Sequence, residues 1–282
     1  MFDSIEKLED VCLKDFCTFK IGGIGKIILF PKNVLELKSV LKECKNNNLK
    51  YFILGNGSNV LFPDYYFDKV IISLKNFNVV KVIRQNVVYA ESGVNLFALN
   101  KFLADNSLAG LEFSFGIPAS VGGFVYMNGG AFGQEISNFV LRVKIFENGK
   151  VKWLSRKDID FQYRHSGISG IILGVELKLQ SGDKKNIIKK QQENLAIRKE
   201  NQPYNKFSAG SIFKRENGCI PAKIIDTMGL KGVKIGGAEI SKKHAGFIVN
   251  NGDAKAIDVI ALIQFIKHKT HMNFELEIVV LA

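Results

Sequence analysis

Glycine is concentrated in one part of this sequence, and that concentration restricts the folds open to the chain. The segment Gly116-Ile-Pro-Ala-Ser-Val-Gly-Gly123 is closely followed by Asn128-Gly-Gly-Ala-Phe-Gly133. Glycine adds no side chain to a core, but it lets the backbone approach another molecule closely and adopt a positive φ. We therefore predict that both segments are loops that approach a large ligand.

A second glycine-rich element, Gly55-Asn-Gly-Ser-Asn59, directly follows the apolar run Tyr51–Leu54. Successive backbone N–H groups in such a loop can point into one concavity and hold a phosphate, with Ser58 and Asn59 as side-chain donors. Taken alone, the pentapeptide fits an ordinary tight turn equally well. Together, the two glycine-rich regions suit a dinucleotide whose pyrophosphate and isoalloxazine ring need separate binding loops. Neither is followed by a Walker lysine, which disfavours ATP hydrolysis.

The charge of the chain is strongly positive, yet it is not clustered. The 282 residues carry a net charge of +12, and 46% of them are hydrophobic, which is typical of a globular protein rather than a disordered one. The densest basic run, 184–190, is interrupted by Ile187 and Ile188. This spacing favours the exposed face of an amphipathic helix over a phosphate-binding patch, and we expect no nucleic-acid partner.

Cysteine and histidine show no metal-binding pattern. The four cysteines form no CxxC pair, and His268 and His271 have no third ligand nearby, so we expect no metal site and reduced thiols. No uncharged run reaches 18 residues, and the first ten residues are of mixed charge. We therefore expect no membrane span, no export and a cytoplasmic location.

The hydrophobic pattern predicts a mixed α+β chain with a domain boundary near residue 182. Asn33 is the expected N-cap of the first helix, and Glu147-Asn-Gly149 the expected hairpin turn. The predicted helices span 33–49, 95–105, 183–200, 220–228 and 253–268. The predicted strands span 51–54, 69–74, 79–84, 86–91, the hairpin 139–154, 171–179, 246–250 and 274–281.

Three polar residues outside the glycine-rich loops are candidates for chemistry. Ser211 lies in the tight turn Ser208-Ala-Gly-Ser211 and has no Asp-His partner at a recognisable spacing, so a hydrolase triad is unsupported. It is either a loop serine or a residue that faces a cleft. Arg164 and Glu277 fit a distant ion pair and a surface acid as well as a functional role, and composition does not separate these possibilities.

Nine motifs occur in one order from about residue 16 to the end of the chain. They are Thr18-Phe-Lys-Ile-Gly-Gly23, Leu54-Gly-Asn-Gly-Ser-Asn-Val-Leu61, Gly116 to Gly123, Asn128 to Gly133, Tyr163-Arg164-x-Ser166, Ala209-Gly-Ser-Ile-Phe213, Ile235-Gly-Gly-Ala238, His244-Ala-Gly-Phe-Ile-Val-Asn250 and Glu275-x-Glu277. Each is modest alone. The ordered set resembles the UDP-N-acetylenolpyruvoylglucosamine reductase family, flavoenzymes of bacterial cell-wall precursor synthesis.

This resemblance implies an α+β fold with two parts. Residues 1–182 would form a two-lobed FAD-binding domain of the vanillyl-alcohol-oxidase/PCMH type, split near residue 75. Residues 183–282 would form a smaller substrate-binding domain whose last strand carries Glu277. The residues that the resemblance assigns to non-covalent FAD binding are Gly55, Asn56, Gly57, Ser58, Asn59, Gly116, Ile117, Pro118, Ser120, Gly122, Gly123, Asn128, Gly129 and Gly133.

The resemblance also implies a reaction. Hydride would pass from NADPH to the flavin, and then from flavin N5 to C3 of UDP-N-acetylglucosamine enolpyruvate, giving UDP-N-acetylmuramate. Ser211 would protonate C2, while Arg164 and Glu277 stabilise the charge of the enediolate-like intermediate. We expect a monomer whose partners are small molecules, the UDP-sugar and NADPH.

The chain departs from the family pattern in several places. Ala119 and Phe132 replace a usual glycine and tyrosine in the flavin loops, Arg215 replaces a substrate-contacting asparagine, and Val279 replaces an arginine. The short stretch 179–205 shows no inserted tyrosine-bearing loop, which indicates the shorter subgroup. Three alternatives are an oxidase that shares the flavin fold, a catalytically silent nucleotide-binding module and a basic nucleic-acid binder. Residues 50–63 lack the His or Cys that tethers flavin in many such oxidases.

Overall fold

Helices are interspersed among runs of strands in the computed structural model, which describes residues 1–216 and 218–281. The α-helices are Val34–Asn46 (α1), Leu96–Asp105 (α2), Val121–Tyr126 (α3), Lys184–Asn201 (α4), Pro221–Thr227 (α5) and Ala256–Thr270 (α6). The strands are Lys7–Cys12 (β1), Ile24–Leu29 (β2), Tyr51–Leu54 (β3), Val60–Leu61 (β4), Phe67–Ser73 (β5), Val80–Arg84 (β6), Val87–Glu91 (β7), Leu108–Ala109 (β8), Gly130–Ala131 (β9), Gln134–Glu135 (β10), Val140–Glu147 (β11), Lys150–Ser155 (β12), Ile171–Lys178 (β13), Gln180–Ser181 (β14), Lys234–Ile235 (β15), Ala238–Ile240 (β16), Ile248–Asn250 (β17) and Val279–Val280 (β18).

The chain divides into two compact units, and neither is continuous in sequence. The first unit comprises Met1–Leu8, Ile27–Asn56 and Lys69–Ala196. The second comprises Glu9–Lys26, Gly57–Asp68 and the chain from Ile197 onward. The predicted domain boundary near 182 and the predicted lobe division near 75 each cut the chain once, into continuous segments. The two units are not continuous, so they do not test these boundaries, which stay predictions.

The first unit is built on a five-stranded antiparallel sheet in the order β12-β11-β13-β7-β6. The hairpin β11–β12 turns at Asn148 and Gly149, whose φ values of 50° and 77° suit a tight turn with two left-handed residues, as the sequence predicted. Helices α2 and α3 pack Leu99 and Val121 on the inner face of the sheet, where Val143 is fully buried.

A second apolar cluster in the first unit surrounds α1. The side chain of Asn33 accepts the N–H of Glu36 at 2.9 Å, so the predicted N-cap is confirmed. Leu37 and Val40 are buried on the inner face of α1, beside Ile72 of β5. Strand β5 in turn pairs in parallel with β3, the strand that leads into the Gly55–Asn59 loop.

The second unit combines the three-stranded sheet β15-β16-β17 with α6. Helix α6 buries Val259 and Leu262, and the carboxylate of Asp64 accepts the N–H groups of Ala256 and Ile257 at 2.7 and 3.0 Å. An aspartate at a helix start satisfies N–H groups that have no partner within the helix.

Most predicted elements are present, but the last strand is much shorter than expected. The sequence predicts a strand over 274–281, and the structure has only β18, which pairs in parallel with β4. The residues before it form isolated backbone pairs instead, such as the bridge between Leu276 and Phe213. The periodicity identified an extended segment, yet its pairing changes partner along its length, which breaks the ladder.

Helix α4 has the exposed lysines that the sequence predicted, but its inner face is largely polar. Ile187 is buried, and so are Gln191 and Asn194. The amides of Gln191 and Asn194 donate to the carbonyls of Asn100 and Glu112 at 3.1 and 2.9 Å. None of the described helices is both long enough and apolar enough to cross a membrane.

Candidate active site

Ser211 and Glu277 lie on neighbouring segments of the second unit. Ser211 forms an antiparallel bridge with Phe247, and the N–H of Ile212 donates to Gly246 O at 2.9 Å. On the other side, the N–H of Glu277 donates to Ile212 O at 2.8 Å. Because Ile212 directly follows Ser211, this pairing places the serine segment next to the glutamate segment, and both residues are half-buried.

The turn before Ser211 needs glycine for its conformation. Gly210 has a φ of 80°, and no atom lies within 4 Å of where its Cβ would be, so backbone strain rather than space selects glycine there. The turn is held from outside by Thr18, whose hydroxyl donates to Ser208 O at 2.8 Å. The N–H of Thr18 donates to Gly57 O at 3.1 Å, which links the serine turn to the loop before β4.

Asn59 connects that loop to the glutamate. Its Nδ2 donates to the carbonyl of Glu277 at 2.9 Å, and its own carbonyl accepts the N–H of Val279 at 2.9 Å. Gly57, two residues earlier, is buried, and a Cβ there would lie 2.1 Å from Phe16 O. The sequence predicts Asn59 as a cofactor ligand and gives no sign that its side-chain amide contacts the glutamate segment.

In the first unit, Gly55 and Asn56 lie beside the Gly116–Gly123 segment, whose last three residues are not a loop, as the sequence predicted, but the start of helix α3. The Nδ2 of Asn56 donates to Pro118 O at 2.7 Å. A Cβ on Gly55 would lie 2.7 Å from the hydroxyl oxygen of Ser120, which itself accepts the N–H of Gly123 at 3.3 Å. The structure therefore brings together two segments that are about sixty residues apart in the sequence.

Gly122 has a packing role that the sequence does not reveal. Its N–H donates to Ser92 O at 2.8 Å, and a Cβ would lie 2.7 Å from the Ser92 Cβ. The glycine is thus required for close contact with the end of β7. The buried hydroxyl of Ser92 has no hydrogen-bond partner within residues 1–216 and 218–281.

Asn128 joins the second half of the glycine-rich region to the Arg164 turn. Asn128 is buried, has a φ of 42°, and donates to Glu135 Oε2 at 2.8 Å and to Gln162 O at 2.9 Å. Nearby, Arg164 Nη2 donates to Gly130 O at 3.1 Å. Arg164 also has a positive φ of 56°, an uncommon conformation for a residue with a Cβ that is often found at functional sites.

The remaining predicted ligands differ in exposure. Gly55, Asn56, Pro118 and Gly133 are exposed. Ser58, Gly116, Ile117 and Gly123 are half-buried, whereas Ser120 and Gly129 are buried. The structure does not test their roles as ligands, which stay predictions.

The first unit fits FAD by the chemistry of these loops. The Gly55–Asn56 and Gly116–Gly123 segments present backbone rather than bulky side chains, and the Asn56 amide holds them together. Gly116 has a φ of 86° and Gly133 one of 75°, which let the loop backbone turn in ways other residues resist. Such a surface suits the pyrophosphate and ring of a dinucleotide.

His244 lies in the second unit. The sequence analysis includes it in one of the nine motifs but predicts no role for its side chain. Its Nδ1 accepts the N–H of Gly246 at 3.1 Å, and Gly246 O in turn accepts the N–H of Ile212. Burial lowers the pKa of His244, and the positive charges of Arg215 and Lys231 lower it further. The neutral imidazole therefore supports the backbone that pairs with the serine segment.

The segment after Ser211 carries a cluster of charged side chains. Lys214 Nζ forms an ion pair with Glu275, and the N–H of Lys214 donates to Glu275 O at 2.9 Å. A hydrogen bond with Glu275 raises the pKa of the exposed Glu216 carboxyl. The exposed Arg215 stands where the resemblance implies a substrate-contacting asparagine.

Cysteine and metal chemistry have no evident place in the site. Cys17 and Cys44 are buried, and burial raises the pKa of the Cys44 thiol to about 11. Cys12 and Cys219 are half-buried, and all four thiols are free. Over the described residues, no group of three His, Cys, Asp or Glu side chains could hold a metal ion.

Comparison with known proteins agrees with this geometry in both parts of the chain. Residues 25–155 match the family model described as "FAD binding domain". Residues 202–280 match the model described as "UDP-N-acetylenolpyruvoylglucosamine reductase, C-terminal domain". An FAD-binding domain followed by a reductase C-terminal domain defines the class: the chain is an FAD-dependent reductase with an α+β fold.

Relatives of known family extend the match to almost the whole chain. The UDP-N-acetylenolpyruvoylglucosamine reductase of Clostridium kluyveri is 40% identical over 273 residues, covering 95% of this chain and 90% of its own length. That of Caldicellulosiruptor saccharolyticus is 42% identical over 277 residues, with 96% and 89% covered. The crystal structure of the Thermus caldophilus enzyme matches with a TM-score of 0.85 at 33% identity, covering 98% of each chain. The chain belongs to the UDP-N-acetylenolpyruvoylglucosamine reductase family, which serves peptidoglycan precursor synthesis.

Proposed function

We propose that the protein reduces the enolpyruvyl ether of UDP-N-acetylglucosamine enolpyruvate to UDP-N-acetylmuramate, with NADPH as the hydride donor. The observation that carries this proposal is the pairing of the Ser211 and Glu277 segments in the second unit. A serine in a tight turn, on a segment that pairs with the glutamate segment and has no histidine hydrogen-bonded to its hydroxyl within residues 1–216 and 218–281, suits a proton donor better than a nucleophile. The names of the relatives supply the substrate class.

FAD would be held by the Gly55–Asn59 loop and by the Gly116–Gly123 and Asn128–Gly133 segments. When bound, it supplies the hydride transfer that no amino-acid side chain can perform. We propose that residues 1–182 bind this cofactor and that residues 183–282 bind the substrate. The ranges of the two family models, 25–155 and 202–280, support that division.

Ser211 is proposed to donate a proton to C2 of the substrate. The Gly210 turn directs the hydroxyl, and the bridge to Phe247 keeps the backbone in place. Glu277, together with Arg164, would steady the enediolate-like intermediate while Ser211 delivers its proton. This arrangement positions a weak acid by hydrogen-bonded backbone instead of by a catalytic base.

Arg164 is proposed to bind the carboxylate of the substrate. Its guanidinium group donates one hydrogen bond to Gly130 O and lies 4.7 Å from the centre of the Tyr163 ring. These contacts orient a planar group with five N–H donors, which suits a carboxylate. We further propose that the protein acts as a monomer in the cytoplasm, which light scattering and cell fractionation would test.

The decisive experiment is a coupled spectrum and assay of the purified protein. A flavin spectrum that enters the supernatant after heat denaturation would show non-covalent FAD. NADPH should then be consumed only when UDP-N-acetylglucosamine enolpyruvate is present, and faster than NADH. A protein that holds FAD but reduces oxygen with a sugar or an alcohol, and not this substrate, would be an oxidase, and the proposal would be wrong.

A further inference from the structure

Two asparagines of the same loop direct their side-chain amides to different carbonyls. Asn56 Nδ2 donates to Pro118 O at 2.7 Å within the first unit. Asn59 Nδ2 donates to Glu277 O at 2.9 Å within the second unit. The sequence places both residues in one phosphate-binding motif, yet only Asn56 contacts another predicted flavin loop through its side chain.

The backbone of Glu277 is held on both sides. Its N–H donates to Ile212 O at 2.8 Å, and its carbonyl accepts the Asn59 amide. Two residues further on, the N–H of Val279 donates to Asn59 O at 2.9 Å. Asn59 thus forms one hydrogen bond with Glu277 and another with Val279.

The Asn59 bond matters because little regular structure fixes this segment. Strand β18 contains only Val279 and Val280, and its parallel pairing with β4 begins after Glu277. Without the Asn59 amide, the backbone of the half-buried Glu277 would lose one of the hydrogen bonds that fix it, and the segment would be free to shift. A small displacement of a catalytic group can cost a large factor in rate.

We propose that Asn59 is a positioning residue for Glu277, and that its side chain serves the protonation step rather than cofactor binding. This inference rests on the proposed function, in which Glu277 acts beside Ser211. It assigns the two amides of the loop separate tasks: Asn56 holds the flavin loops together, and Asn59 holds the glutamate.

The test uses FAD-loaded protein and the variants Asn59→Ala and Asn59→Asp. Aspartate has nearly the same shape, but it offers no donor and would repel the Glu277 carbonyl. We expect kcat to fall about 10- to 100-fold in both, with the KM for the UDP-sugar changed much less. The FAD dissociation constant, measured by flavin fluorescence, should stay within about threefold of the wild-type value. In both variants, NADPH should also bleach the flavin at close to the wild-type rate.

Two further variants serve as comparisons. Asn76→Ala removes a half-buried amide that donates to Phe30 O at 3.0 Å, and neither residue is a predicted ligand or a partner of Glu277 in a hydrogen bond described above. It should lose stability comparable to that of Asn59→Ala and keep its kcat. Asn56→Ala should weaken FAD binding about tenfold or more, the property that Asn59→Ala retains.

A double-mutant cycle with Glu277→Gln distinguishes an effect of Asn59 on the position of Glu277 from a general loss of rigidity in the protein. If Asn59 acts through Glu277, Asn59→Ala should slow the Glu277→Gln variant far less than it slows the wild type. Equal factors in the two backgrounds would overturn the proposal. So would a loss of FAD affinity in Asn59→Ala as large as that in Asn56→Ala.

Amide hydrogen exchange keeps this result distinct from a failure of the proposed function. A peptide covering 276–281 should exchange faster in Asn59→Ala than in Asn76→Ala, whatever the substrate is. If wild-type protein does not reduce the enolpyruvyl substrate and this peptide still responds, the proposed reaction fails and the Asn59–Glu277 connection stands. Unchanged exchange would overturn the connection itself.

Discussion

Ser211 owes its placement to backbone contacts rather than to a charged neighbour. The Gly210 turn and the bridge to Phe247 set its position, and Thr18 holds the turn through Ser208. A group placed in this way can act as a proton donor without being activated as a nucleophile. Ser211→Ala should therefore affect one half of the reaction selectively.

For Ser211→Ala, we expect NADPH to bleach the flavin at close to the wild-type rate. The return of flavin absorbance on adding the enolpyruvyl substrate should slow by about 10²- to 10⁴-fold, the usual contribution of a positioned general acid. Anaerobic stopped-flow absorbance measures both steps, and Ser208→Ala, in the same turn, is the control. A wild-type rate of return would show that another group delivers the proton.

His244 makes stability depend on pH in a direction that its surroundings fix. Burial, Arg215 and Lys231 lower its pKa below the ordinary value of 6.5. As pH falls below 6.5, the unfolded chain takes up a proton that the folded chain resists, so the free energy of unfolding decreases. The loss is complete once the pH passes the lowered pKa.

Replacing His244 by asparagine should flatten this pH dependence. The Oδ1 of asparagine can accept the Gly246 N–H as Nδ1 does, but it does not titrate. Urea unfolding of His244→Asn between pH 7.5 and about 5.5 should show a smaller decrease than the wild type. An identical decrease in both proteins would mean that other groups account for the acid sensitivity.

Among the elements, turns that share a left-handed glycine differ in what they tolerate. Gly149 closes the β11–β12 hairpin with a φ of 77° and open space at its Cβ position. Gly57 has a φ of 63°, but a Cβ would meet Phe16 O at 2.1 Å. Gly149 is therefore required only by the backbone conformation, whereas Gly57 is required by both the backbone conformation and close packing.

This difference predicts unequal effects of the same substitution. Gly149→Ala should cost about 1 to 2 kcal/mol, the usual penalty for a left-handed residue with a Cβ. Gly57→Ala should cost more, because a backbone segment must also move. Urea unfolding of the two variants side by side tests the order, and a smaller loss for Gly57→Ala would contradict the observed packing.

Sequence reasoning succeeded where local chemistry decides the element and failed where partners are distant. A few neighbouring residues were enough to predict the helix start at Asn33 and the hairpin turn at Gly149. The short β18 and the amide of Asn59 depend on segments more than two hundred residues apart, and no local pattern encodes such pairing. Arg164 lies between these cases: the motif identified it, but only the structure shows its bond to Gly130.

At the scale of the whole molecule, the chain forms two units that are assembled from interleaved segments. The chain passes between them repeatedly, and the Gly55–Asn59 loop is itself divided between the units. The FAD-binding class follows from the ordered motifs, whereas this interleaving could not be read from composition or periodicity. The basic charge, which suggested a nucleic-acid binder as one alternative, is spread along the chain.

Removing FAD should destabilise the protein through mass action. A ligand that binds only the folded state contributes about 2.7 kcal/mol at a free concentration one hundred times its dissociation constant. The melting temperature of stripped protein should therefore rise steadily as FAD is added back, which calorimetry would measure. AMP, which lacks the flavin ring, is the control, and a melting temperature independent of FAD would argue against a structural cofactor.

The polar inner face of α4 has a consequence for cold tolerance. Contacts made by apolar surface weaken on cooling, because the entropic drive to exclude water fades. The hydrogen bonds that the Gln191 and Asn194 amides donate to main-chain carbonyls do not share this temperature dependence. They also disfavour any rotation or sliding of α4, because such a movement would leave those carbonyls without these donors. Helix α4 should thus keep both its docking and its register in the cold, when neighbouring elements held by aliphatic packing begin to loosen.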